Sequence, residues 1–79
     1  MKRVDDLTRR ILLAMRDNPG PLPVTKLDGV DQAVFNEHVR LLKEDGLIDA
    51  DLQIGQQDRV LTALARRLTA RGQDFVQNH

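Results

Sequence analysis

With 79 residues, 12 basic and 12 acidic side chains and a formal net charge of zero, the sequence has room for one domain and none for a second. A chain this short hides roughly 60 to 70% of its unfolded surface at most, and with two phenylalanines, no tyrosine and no tryptophan its core must be built from leucine, isoleucine, valine and alanine. The absence of cysteine excludes disulfides, thiolate metal sites and redox switching. With no signal-type apolar run and no bilayer-length span, the expectation is a cytoplasmic protein that does not touch membranes.

The first predicted element is a helix from Val4 to Asp17. Val4, Leu7, Ile11 and Ala14 fall at core spacing, and the pairs Asp5 with Arg9 and Asp6 with Arg10 stand four residues apart. Asn18, Pro19, Gly20 and Pro21 end it, since proline cannot donate to the helical ladder and glycine accepts turn geometry. Pro23 to Leu27 has room for one or two helical turns, so the spacing leaves either an abbreviated helix or an extended segment. Asp28, Gly29 and Val30 form the turn that follows.

Asp31 is placed to cap a helix, with Val30 and Phe35 at staple spacing around it. Val34, Phe35, Val39, Leu41 and Leu42 predict a broad packed stripe, opposite an outward face of Gln32, Asn36, Arg40 and Lys43. Gly46 can end the helix in the left-handed conformation, and Leu47 is set to fold back onto the last turn. Strand alternation begins at once, with Ile48, Ala50, Leu52 and Ile54 on one side and Asp49, Asp51 and Gln53 on the other. Gly55, Gln56, Gln57 and Asp58 then make a tip. Val60 to Leu68 reads either as a short helix capped by Asp58 or as a second strand, and propensity alone favours the helix. Thr69 is positioned to cap a last helix from Ala70 to about Gln77 that lays Phe75 and Val76 against the first.

Asn36, His38, Val39, Leu42, Gly46, Leu47 and Ile48, in a run ending LLKEDGLI, resemble the recognition helix of bacterial winged helix-turn-helix repressors, including the arsenic-repressor type. Over nearly the whole chain, the opening MKRVDDLTRRILLAM and the closing RRLTARGQDFV resemble a family of short, uncharacterised bacterial and phage-borne winged-helix proteins. That family usually has an acidic residue where Val4 stands and often a histidine where Gln73 stands. The resemblance implies a mainly α domain with a small antiparallel β-wing, a winged helix-turn-helix over residues 1–79. It also favours the strand for Val60 to Leu68, because a closing L-T-x-x-G motif marks the exit from the last strand in winged-helix proteins.

On this reading Asn36 and Arg40, four residues apart, are suited to bidentate contacts with adenine and guanine in a major groove. Gln32 reaches a base edge or phosphate, Lys43 the backbone, and Glu37 can accept from a cytosine amino group. Gln56, Gln57 and Arg59 contact DNA from the wing tip. An ordinary solvated helix face produces the same residue types as readily. His38 lies near the middle of the apolar stripe, which favours a packed histidine, whereas the resemblance places it near the DNA-facing edge. With no second ligand three or four residues away it offers no metal site, and no cofactor is expected.

Charge complicates the picture. Residues 1–16 carry five basic and two acidic groups, residues 17–58 three and nine, and residues 59–79 four and one. The expected recognition helix thus sits in the acidic block, although phosphate contacts normally supply most non-specific DNA affinity. Lys2, Arg3, Arg9, Arg10, Arg16, Arg59, Arg66, Arg67 and Arg71 either hold phosphates or pair with the central acids. Arg66 and Arg67, adjacent in a strand, are expected on opposite faces. There is no serine, and no threonine or lysine stands in a nucleophile motif beside His38, so catalysis is not expected. The leading expectation is a small DNA-binding transcriptional regulator of phage or mobile-element origin, dimerising through its first and last helices. The alternative is an adaptor whose acidic surface, Glu37, Glu44, Asp45, Asp49 and Asp51, binds a protein.

Overall fold

A computed structural model describes residues 6–18 and 20–77. Three helices, α1 (Asp6–Asp17), α2 (Gln32–Glu44) and α3 (Ala70–Gln77), surround an antiparallel hairpin of β1 (Ile48–Ile54) and β2 (Val60–Leu68). The arrangement is α+β, and the ambiguous stretch from Val60 to Leu68 is a strand. Ile11, Leu12, Phe35, Val39 and Ala65 are fully enclosed, with Leu42, Leu47, Ile48 and Ala63 beside them.

The buried side of α1 is rotated from the expected one. Thr8, Ile11, Leu12 and Met15 are buried while Leu7 and Ala14 are only half-buried. Val4 and Asp5 lie outside the described residues, and with Asp5 the expected pair with Arg9. The Arg10 guanidinium donates instead to the Asp28 carbonyl at 3.1 Å, fastening α1 to the turn before α2.

No helix forms between Pro21 and Asp31, so the extended alternative is the one adopted. Val24 and Ala65 exchange backbone hydrogen bonds of 2.9 and 3.0 Å, which lays this segment along the free side of β2. Asp31 caps α2 as expected, its carboxylate accepting from the amides of Ala33 (3.1 Å) and Val34 (3.3 Å). At the other end Gly46 has φ +79°, its amide donates to the Lys43 carbonyl and that of Leu47 to the Leu42 carbonyl. This double bond pattern is the glycine stop that the sequence called for.

β2 has nine residues against seven of β1 because the register slips twice, between Asp49 and Ala50 and between Gln53 and Ile54. The extra residues are Arg66 and Leu61. The first slip corrects an expectation: Arg66 and Arg67 do not straddle the sheet. Both lie on its outer face, where Arg66 meets Asp51 at 2.6 Å and Arg67 meets Asp49 at 3.4 Å. Beyond the second slip the inward alternation lapses, and Ile54, expected inside, is exposed.

The closing L-T-x-x-G motif has a mechanical explanation. The Thr69 hydroxyl accepts from the Gly72 amide (3.0 Å), capping α3. A Cβ on Gly72 would collide with the Leu47 carbonyl oxygen, so glycine is what lets α3 press against the α2–β1 junction. Phe75 and Val76 then pack on the core, and α3 contacts α1.

Candidate functional site

The outward face of α2 is not the one that the apolar count suggested. Phe35, Asn36, Val39 and Leu42 point inward, whereas Val34 and Leu41, assigned to the packed stripe, are 42% and 48% exposed. The arc that holds every apolar residue of α2 is wider than the side that the helix buries. Seven residues separate Val34 from Leu41, two helical turns, so they stand one above the other facing solvent. His38, half-buried between them, has Nδ1 2.9 Å from the Val34 carbonyl. A carbonyl only accepts, so Nδ1 carries the proton in this contact.

One of the expected base-reading residues, Asn36, is thereby corrected in its placement, while Gln32 beside it is exposed. Asn36 is 5% exposed, and its Oδ1 accepts from Gln32 Nε2 at 3.0 Å. The same Gln32 nitrogen donates to the Thr25 carbonyl at 2.8 Å, so this pair ties the helix to the extended segment. Both residues line a shallow groove against Leu61 to Leu64 of β2. Asn36 is therefore a buried polar support whose hydrogen bond offsets its burial.

Arg40 does reach the outward face, but two carboxylates hold it. Its Nε and a terminal nitrogen donate to Glu37 Oε1 at 3.0 and 2.7 Å, and the other terminal nitrogen donates to Glu44 Oε2 at 2.9 Å. The hydrogen bond to Glu37 is the main reason that the guanidinium pKa lies above its ordinary value, followed by the charge of Glu37; burial opposes them, and Glu44 adds a lesser upward push. One cation between two anions leaves the cluster with net negative charge. The spacing of Glu37, Arg40 and Glu44 was visible in the sequence as i,i+3 and i,i+4 neighbours.

Lys43 is exposed near the end of α2, and Gln56, Gln57 and Arg59 are exposed at the hairpin tip. There Arg59 donates its amide to the Gln56 carbonyl at 3.2 Å across Gln57 (φ 60°) and Asp58 (φ 58°), a turn with two left-handed centres that matches hairpin twist. Other arginines expected to hold phosphates are in ion pairs, Arg16 with Asp17 and Arg66 and Arg67 with β1 acids. Lys2 and Arg3 lie outside the described residues. Among the described residues no group of three His, Cys, Asp or Glu side chains is arranged to hold a metal, and no helix is long and apolar enough to cross a membrane.

These features define a small α+β domain in which the outward face of α2 is apolar and acidic. A family model described as "Hypothetical protein (DUF2513)" matches residues 2–79, and the chain belongs to that family. No curated protein and no solved structure matches it.

Proposed function

We propose that this chain is a winged-helix-type binding domain without catalytic activity, and that the outward face of α2 docks on a protein partner. Two features support the fold class. The elements run helix, extended segment, helix, hairpin, and Val24 lies beside β2 as the first strand of a wing sheet does. A turn in which the Val30 amide donates to the Leu27 carbonyl at 3.2 Å stands in the place of the first helix of a helix-turn-helix.

The observation that carries the protein reading is the Glu37–Arg40–Glu44 cluster beside Val34 and Leu41. Arg40 can read a base only by leaving two carboxylates, which would then face the phosphates. The same face suits a partner with an apolar anchor flanked by lysine or arginine, since exposed apolar side chains rimmed by charge are ordinary interface material. A defined probe tests this: an amphipathic helical peptide carrying leucine and lysine at i,i+4 spacing. It should shift the Val34 and Leu41 methyl resonances, and a Glu37→Lys, Glu44→Lys variant should lose the effect. No shift, or an equal shift by the glutamate version of the peptide, overturns the reading.

A second reading, a DNA-binding regulator, is favoured by Lys43 and Arg59, which make no side-chain hydrogen bond or ion pair among the described residues. Fluorescence anisotropy with random and genome-derived duplex DNA at low and physiological salt separates the two. Salt-sensitive binding that is lost in Arg59→Glu and Arg40→Glu would establish the DNA reader.

A further inference from the structure

A second site lies away from α2, where the end of α1, the end of β2 and α3 meet. A cavity of about 280 Å³ opens there, with Met15, Leu68 and Val76 as its apolar part and Arg16, Arg67, Gln73 and Gln77 as its polar part. Among the described residues its lining contains two cations and no acid. Arg16 uses Nε for Asp17, and Arg67 uses Nε for Asp49, so the terminal nitrogens of both guanidinia make no hydrogen bond to a described residue. The arginines come from different elements. Arg67 is brought to the outer face by the register slip at Arg66, while Leu68, the next residue, turns inward to the apolar part.

We infer that this cavity binds a small organic anion, a carboxylate on an apolar body. Guanidinium groups present forked donors that match carboxylate geometry. A few polar groups converging on an apolar concavity are the usual make-up of a small-ligand site, and this one is at the small end of that range. Arg67 is 80% exposed at its side chain, so the anion engages solvated cations at the mouth while the apolar body displaces water from Met15 and Val76. The ligand chemistry has two sources, a free acid or the carboxyl terminus of a peptide with an apolar last residue. None of these residues belongs to the α2 face, so this site stands or falls independently of the proposed partner.

Titration of the full chain with octanoate, octanol and octylamine, followed on the Met15 and Val76 methyl resonances, tests the inference. Octanoate should saturate those shifts with affinity roughly tenfold or more above octanol, the difference expected of a charge-assisted hydrogen bond. Arg16→Gln and Arg67→Gln, at exposed positions that leave the core intact, should each weaken octanoate several-fold and leave octanol unchanged. A peptide ending in free leucine, compared with its amide, identifies the source: tighter binding of the peptide assigns the cavity to a chain terminus, tighter binding of octanoate to a free acid. Equal binding of octanol and octanoate, octanoate binding undiminished in the double Arg→Gln variant, or no saturation up to about 10 mM overturns the inference.

Discussion

The Thr69 hydroxyl donates to the Gly46 carbonyl at 2.7 Å, so the residue that caps α3 also satisfies a carbonyl just past the end of α2. One side chain thus serves the termini of two helices, and the Thr69 amide adds a bond to the Leu47 carbonyl at 3.0 Å. Thr69→Val should cost about 1 kcal/mol in urea unfolding, chiefly through the lost cap, since water can reach the exposed Gly46 carbonyl. Thr69→Ser, which keeps the hydroxyl, should cost much less.

Gly72→Ala drives a methyl group into the Leu47 carbonyl, a backbone atom that has nowhere to go. A loss of at least about 2 kcal/mol is expected, in the upper part of the range for overpacking. Circular dichroism melting of Gly72→Ala beside Thr69→Val would rank the two parts of the motif.

At the hairpin tip the two left-handed residues are glutamine and aspartate, neither of which matches glycine there. Asp58→Gly should stabilise the chain by about 0.5–1 kcal/mol if relief of the left-handed strain exceeds the added chain entropy. A lowered melting temperature would show that the Asp58 side chain has a role in the tip.

The exposure difference within α2 gives a direct check on which face is buried. Leu41→Gln should change stability by no more than about 0.5 kcal/mol, whereas Leu42→Ala, one residue on, should cost about 2–5 kcal/mol. Asn36→Ala should cost about 1 kcal/mol, the size of a buried hydrogen bond, although a solvated asparagine would be neutral.

The raised Arg40 pKa also fixes a sign. A cation whose folded pKa exceeds the unfolded one contributes its stability fully below the unfolded value and loses it only as pH climbs through the folded one. Arg40→Met should therefore lower stability by the same small amount across the neutral range, and the difference should shrink in about 1 M salt, where screening is short-ranged. A wild-type advantage that grows with salt would contradict the ion-pair account.

Much of the fold was legible because local signals agreed. Asp31, Gly46 and Thr69 each carry a cap or stop that depends on a few neighbouring residues, and each behaves as its chemistry requires. The faces of α2 and β2 were not legible for a different reason. Leucine and valine mark burial only on average, and nothing within α2 distinguishes Leu41 from Leu42. Likewise a bulge is a property of two strands together, so Arg66 and Arg67 could be placed only once Asp49 and Asp51 were opposite them. Of the candidate site, Arg40 was in the right place with its partners unrecognised, and Asn36 was turned the wrong way.

The two register slips also set where the chain can change length. Removing Arg66 or Leu61 would convert a slip into an ordinary ladder and leave every other residue of β2 on its present side. Removing one residue from between them, Leu64 for example, would either turn the rest of the strand over or, with the slip at Arg66 closing to absorb the loss, set Arg66 in the buried place of Ala65. Single-residue deletions should therefore be tolerated at two points of β2 and rejected at the positions in between.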